Sequence, residues 1–276
     1  MASAAALNKA KIAKRVVEVL EFFDEEHREA TVMDIVRRYK RPQSSTSELL
    51  TSLVDLGLLY KDPYSRSYTL TPRAAMLGSY FQPDIVRDGR LTTLIDRLRA
   101  QTGLGVALFG MVGLNAQIFT WRSGVRMIRT DRPEGISGGM QERLTDSAAG
   151  CLLLSSVAQP RRDGMVRRLN AEAAPERKFS FADMGARLDA CHDRRYAVGS
   201  FGFGSVAEMC CVLLPDQPEN RPMALAFVYE GEERVDTTAL VQCLQYAMQR
   251  CGEQTSSGSS GGGYGPTVQP FPSAAA

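Results

Sequence analysis

The sequence predicts two folded units, an N-terminal α-rich winged helix-turn-helix and a C-terminal α+β domain built on an antiparallel sheet. Three observations carry this. Apolar residues recur at helical spacing through the first 56 positions and are followed by two short strand-like runs. A polar stretch at 81–90 interrupts the pattern, and beyond Gly103 the periodicity changes from helix to strand.

In the first unit, Ile12, Val16, Val17, Leu20 and Phe23 form a 3.6-residue stripe that predicts a helix over Lys9 to Glu25. Thr31 and Asp34 have the spacing of a capping box, opening a two-turn helix that buries Val32, Ile35, Val36 and Tyr39. Pro42 then breaks the pattern, because proline excludes the helical region for the residue before it. A third helix starts near Ser44 or Ser45, buries Leu49, Leu50, Leu53, Val54 and Leu56, and ends at Gly57. Leu58 to Tyr60 and Ser67 to Leu70 read as strands around the turn Lys61 to Arg66, which makes a hairpin wing.

Two helices joined by a tight turn and followed by a wing present the third helix to the DNA major groove. The expected double-stranded DNA contacts are Arg41, Gln43, Ser44, Ser45, Thr46 and Ser47 on the turn and helix start, with Lys61 and Arg66 on the wing. The four hydroxyl residues serve equally well as helix caps. Arg37, Arg38, Lys40 and Arg73 supply further positive charge nearby. Bulk charge gives no help, since the chain is only +2 overall and residues 1–82 hold twelve Lys+Arg against ten Asp+Glu.

The ordered set Pro42, Leu49-Leu50-x-x-Leu53, the run from Leu53 to Leu59, Tyr68-x-Leu70-x-Pro72-Arg73 and Leu77-Gly78 resembles the IclR family of transcriptional regulators. The resemblance extends to about residue 251. It departs at Glu48, where family members usually carry arginine. An anion there costs phosphate affinity, unless Glu48 closes a capping box with Ser45 and points away from DNA.

The resemblance divides the chain into a DNA-binding domain at 1–80, a linker at 81–90, an effector-binding domain at 91–251 and a tail at 252–276. A short helix opened by Thr71-Pro72 and reaching about Tyr80 leads to the linker. An amphipathic helix with Leu91, Leu94, Ile95 and Leu98 follows. Strands are expected at Val106 to Met111, Ala116 to Trp121, Val125 to Thr130, Tyr196 to Phe201, Met209 to Leu214 and Met223 to Tyr229. Helices are expected at Asp146 to Val157, Gly164 to Leu169 and, behind a Ser180/Asp183 capping box, up to Cys191; a last one carries Leu240, Leu244, Ala247 and Met248. This domain resembles the GAF-like effector domain of the family. The ligand positions that the resemblance implies are Ala149, Gly150, Ala207, Cys211, Phe227 and Tyr229. Aromatic residues at the last two imply an apolar, aromatic effector, with core filling as the other reading of both. Self-association as a dimer, or as a tetramer of two dimers, is also implied.

Enzyme chemistry finds little support. The only histidines, His27 and His192, leave no HExxH site and little scope for a Ser/His/Asp triad. His192 beside Cys191 points about 100° away from it on a helix. The six cysteines lack CxxC spacing, so no metal or cofactor is expected. Gly135-x-x-Gly138-Gly139 and Gly199-x-x-Gly202-x-Gly204 lack the setting of a nucleotide loop. No apolar run approaches the roughly 20 residues of a membrane span, and the start lacks the apolar core of a signal peptide. A cytoplasmic location is expected, with no membrane partner. The tail from Gly252, rich in Gly, Ser and Pro, is expected to be disordered. A different class of function, a sensing or protein-interaction module with decayed DNA binding, is motivated by Glu48 and the weak charge.

Overall fold

Two units with separate cores make up the chain, Met1–Pro83 and Asp84–Ala276. A computed structural model describes residues 4–24, 27–77, 86, 88–133, 135–215, 221–231 and 235–256. Most of the 81–90 linker and residues 257–276 of the tail lie outside the described residues, while the helix expected to reach about Tyr80 already ends at Met76, where Leu77 turns extended.

The first unit contains α1 (Ala4–Phe22), α2 (Val32–Tyr39), α3 (Gln43–Asp55), β1 (Leu59–Lys61), β2 (Tyr68–Leu70) and α4 (Pro72–Met76). Val19, Phe22, Ile35, Leu50, Leu53, Leu59 and Tyr68 form its core. The stripe of α1 runs one position off the expected one. Val19 and Phe22 are buried while Ile12 and Val17 face solvent, because the doublets Val16-Val17 and Phe22-Phe23 fit two neighbouring stripes equally well. The Thr31 cap is a complete capping box. The Thr31 hydroxyl accepts the Asp34 amide at 3.3 Å, and the Asp34 carboxylate accepts the Thr31 amide at 2.8 Å and its hydroxyl at 2.7 Å. Those two donors, the hydroxyl foremost, hold the Asp34 carboxyl below its ordinary range.

α3 ends in a Schellman motif. The Leu58 amide donates to the Leu53 carbonyl at 2.9 Å and the Gly57 amide to Val54 at 2.8 Å, with Gly57 at φ +70°. This turn swings Leu56 outward, so it is 59% exposed rather than buried. The chain then enters the β1–β2 hairpin, which pairs Leu59 with Leu70 and Lys61 with Tyr68. On the other edge of β2, Ala30 forms a bridge by exchanging both backbone hydrogen bonds with Tyr68.

The second unit comprises α5 (Arg90–Thr102), β3 (Gly105–Val112), β4 (Asn115–Arg122), β5 (Gln141–Arg143), α6 (Ala148–Ser155), α7 (Arg161–Ala171), α8 (Phe181–Arg194), β6 (Tyr196–Ser200), β7 (Glu208–Leu213), β8 (Met223–Tyr229) and α9 (Thr237–Ser256). The strands form one antiparallel sheet in the order β5-β4-β3-β8-β7-β6. Its two faces carry different cores. α5 and α9 cover one through Leu91, Leu94, Ile95, Leu98, Val241 and Leu244. α6, backed by α8, covers the other through Leu152, Leu153, Met184 and Leu188. Every residue of α6 is buried, as a helix apolar all round requires.

Three expectations need correction. Val125 to Thr130 is not a strand: Val125 and Met127 are more than 80% exposed, and only Thr130 makes a bridge, to Ser205. The segment is held instead by Glu230, whose carboxylate accepts the Arg129 amide at 2.7 Å, and by the Asp131 amide donating to Gly204 at 2.8 Å. The edge strand β5 escaped notice because Gln-Glu-Arg is short and polar. Finally, α9 continues to Ser256, so residues 252–256 are helical rather than part of the tail. At α8, Ser180 accepts the Asp183 amide at 3.4 Å.

Candidate functional site

Pro42 is the N-cap of α3, and the helix begins at Gln43, one or two residues before the expected start. That shift decides which side chains leave the protein. Thr46 faces inward with 4% exposure, and its hydroxyl donates to the Pro42 carbonyl at 2.9 Å. It shares its face with Leu50 and Leu53, so it does not belong to the DNA-facing set. Ser45 is half-buried and its hydroxyl bonds to the same carbonyl at 3.3 Å, as a residue inside the first turn rather than as a cap. The Ser45–Glu48 capping box therefore does not form. Gln43, Ser44, Glu48 and Thr51 are exposed, and Ser47 is half-buried. With 100° per residue and the buried face centred on Thr46, Leu50 and Leu53, Ser44, Glu48, Thr51 and Asp55 project directly outward.

The basic residues on either side of α3 are partly committed within the fold. Arg41 is bound by the Glu18 carboxylate of α1, which also lies 3.7 Å from the Lys14 ammonium. The Tyr39 hydroxyl donates to the Glu18 carbonyl at 2.7 Å, so α1 is clamped to the turn that launches α3. Lys40 takes the left-handed conformation at the end of α2, and Arg37 and Arg38 are exposed. On the wing, Lys61 lies over the Tyr68 ring at 5.5 Å, a cation–π contact. Asp62 organises the hairpin turn by accepting the Tyr64 and Ser65 amides at 2.7 and 2.9 Å. Those amides, Ser65 first, hold its carboxyl below the usual range. Arg66 follows at φ +58° and is exposed, as is Tyr64 at the tip of the wing.

The six residues expected around a ligand do not share one surface. Successive residues of a strand point to opposite faces of the sheet. On β8, Ala224, Ala226 and Val228 point toward α6, whereas Leu225, Phe227 and Tyr229 point toward α5 and α9. Phe227 and Tyr229 therefore belong to the core opposite Ala149, Ala207 and Cys211, which lie together on the α6 face. Both aromatics are buried in that core. Tyr229 is 2% exposed and its hydroxyl has no hydrogen-bond partner among the described residues; burial pushes its pKa up. Gly150 is a packing glycine. A Cβ there would sit 2.2 Å from the Leu144 carbonyl oxygen, and its amide donates to the N-cap Ser147 hydroxyl at 3.1 Å.

The α6 face carries aromatics that the sequence reading missed. Phe109 of β3, Trp121 of β4, and Phe201 and Phe203 after β6 gather there, with Trp121 stacked on Phe201 at 5.9 Å and 29°. Phe201 and Phe203 are turned inward by a loop in which Gly202, Phe203 and Gly204 all have positive φ. Gly199-x-x-Gly202-x-Gly204, read as a plain turn, was the available signal. Glu142 of β5 accepts the Phe203 amide and fixes this loop; burial raises its pKa, against the lowering effect of that hydrogen bond.

The surroundings of Cys191 and His192 do not favour a thiolate–imidazole pair. The His192 Nδ1 lies 3.1 Å from the Ser155 carbonyl, and burial pushes the Cys191 thiol above its ordinary pKa, away from thiolate. Cys151 is pushed up to about 11 and Cys210 to about 12 by burial. Among the described residues, no three His, Cys, Asp or Glu side chains are grouped to hold a metal, and no helix is long and apolar enough to cross a membrane.

A three-helix head with a short hairpin wing defines a winged helix-turn-helix protein. Residues 13–63 match the family model of the IclR helix-turn-helix domain. Among solved structures, an IclR transcriptional regulator from Alicyclobacillus acidocaldarius is similar at 17% identity and a TM-score of 0.53, over 91% of this chain and 99% of that one. The Thermotoga maritima IclR is similar at 15% identity and 0.53, over 90% and 98%. An IclR homolog complexed with 4-hydroxybenzoate, from Microbacterium hydrocarbonoxydans, is similar at 19% and 0.52, over 89% and 99%. No curated protein sequence matches the chain. Residues 13–63 are thus similar to an IclR helix-turn-helix domain, and the chain shares the fold of these solved structures.

Phe227→Ala is expected to cost about 3–5 kcal/mol of unfolding free energy in a urea titration, the usual range for a fully buried phenylalanine. A loss below about 1 kcal/mol would remove it from the core and restore it as a ligand position.

Proposed function

We propose that this chain is an IclR-type transcriptional regulator whose operator binding is modulated by a small aromatic effector. The observation that carries the DNA reading is the exposed, hydroxyl-lined start of α3, preceded by Arg37, Arg38 and Lys40 and followed by the wing residues Lys61 and Arg66, all within or beside the matched segment. The first turn of α3 and the wing are the parts of such a fold that reach base edges and flanking phosphates. In this reading Gln43, Ser44 and Ser47 approach bases, and Lys61 and Arg66 approach phosphates. Ser45 supports the helix start, and Arg41 joins the phosphate contacts only by exchanging its Glu18 partner.

Effector binding is assigned to 91–251, on the α6 face beside Ala149, Ala207 and Cys211. Phe109, Trp121, Phe201 and Phe203 favour an aromatic ligand by stacking. The 4-hydroxybenzoate held by a protein of the same fold agrees with that class. A homodimer or a tetramer of two dimers would present two α3 helices to a palindromic operator, and a cytoplasmic location fits this role. The second reading, a sensing module that no longer reads DNA, is favoured by one feature: Glu48 and Asp55 stand on the outward face of α3 and no cation does.

A salt titration of binding to DNA from upstream of its own gene, beside a scrambled duplex, separates the two. The regulator reading expects a preference of about a thousandfold and a steep loss of affinity with salt. Equal, weak binding to both duplexes would support the sensing module instead. The effector reading has its own probe in Trp121, the only tryptophan. Hydroxybenzoates should change its emission saturably and weaken or strengthen operator binding over the same concentration range. Unchanged emission with every aromatic acid tried would rule out this ligand face.

A further inference from the structure

We infer that Glu48 is a base-reading residue that accepts a hydrogen bond from the N4 amino group of a cytosine in each operator half-site. The inference rests on the DNA-binding reading above and deepens it by naming what the recognition helix selects.

Glu48 is exposed near the centre of the outward face of α3, one turn beyond Ser44. Nothing on its own helix neutralises it. The residues three and four positions away are Ser44, Ser45, Thr51 and Ser52, and no hydrogen bond or ion pair engages its carboxylate among the described residues. Three nearby hydroxyls already donate to backbone carbonyls. Thr51 donates to the Ser47 carbonyl at 2.9 Å, Ser52 to the Glu48 carbonyl at 3.0 Å and Ser45 to Pro42 at 3.3 Å. On the outward side Thr51 and Ser52 therefore offer acceptor oxygens beside the one carboxylate, while Ser44 keeps its hydroxyl proton.

Such a surface discriminates sharply among bases. In the major groove guanine presents two acceptors, thymine an acceptor and a methyl group, adenine an acceptor beside its amino group, and cytosine an amino donor. A carboxylate accepts only, so it is repelled by guanine N7 and O6 and satisfied by cytosine N4. The same charge lowers affinity for phosphate in general, which makes the contact selective rather than strong.

Selection from a randomised duplex pool by the purified full chain and by two variants tests this. The wild-type protein should enrich a motif with one invariant cytosine per half-site, and changing that cytosine to thymine should weaken binding about tenfold or more. Glu48→Gln should enrich adenine at that position, since an amide pairs with adenine N6 and N7. Glu48→Ala should keep the rest of the motif and reduce the penalty for thymine to less than about twofold. The inference is overturned if both variants select the wild-type motif and bind all duplexes more tightly, because Glu48 is then only a repulsive charge. If neither the wild type nor the variants enrich any motif, the DNA-binding reading fails and this inference with it. Unchanged circular dichroism and melting of the variants show that the comparison concerns contacts rather than folding.

Discussion

The central strand β8 is buried along its whole length, between β3 and β7 and between two helical layers. Each of its side chains must serve one core or the other, and the strand repeat allows no choice. Odd-numbered residues from Met223 to Tyr229 meet α5 and α9; even-numbered residues meet α6. The same parity passes to β7, where Cys210 and Cys211 fall into different cores. It also places the small residues Ala224 and Ala226 opposite the bulky α6 face, beside the loop that folds Phe201 and Phe203 inward. What a ligand can meet on either side is fixed by this alternation before any specificity is considered.

The strength of local signals explains what the sequence revealed. The helix-turn-helix was legible because each junction has its own chemistry: the Thr31/Asp34 box, Pro42, Gly57 and the Asp62 turn. Helices α5 and α9 and strand β8 were legible from long apolar patterns. Thr46 was misplaced because four consecutive hydroxyl residues carry no hydrophobic pattern to show which faces inward; only the start at Gln43 decides it. The expected ligand positions divide between two surfaces through parity, since Phe227 and Tyr229 lie on the face of β8 turned away from α6. The aromatic cluster was illegible because Phe109, Trp121, Phe201 and Phe203 come from separate segments and meet only after the sheet forms.

The N-terminal unit engages two of the candidate DNA-facing cations internally. Glu18 holds Arg41, and Tyr68 lies beneath Lys61. An outward α3 face that carries acids and hydroxyls adds no long-range attraction of its own. In the proposed DNA-binding reading, sequence-independent affinity would come from the exposed arginines of α2 and the wing, and discrimination from short-range contacts by Ser44, Ser47 and Glu48. In that reading nonspecific DNA would be released easily and a matched site held through geometry.

Amide hydrogen exchange of the full chain with and without duplex DNA at low salt tests this account most directly. Residues 43–48 of α3 and 61–67 of the wing should gain protection together, with the sheet of the second unit unchanged. Protection confined to the second unit, or none at a DNA concentration where binding is saturated, would contradict it.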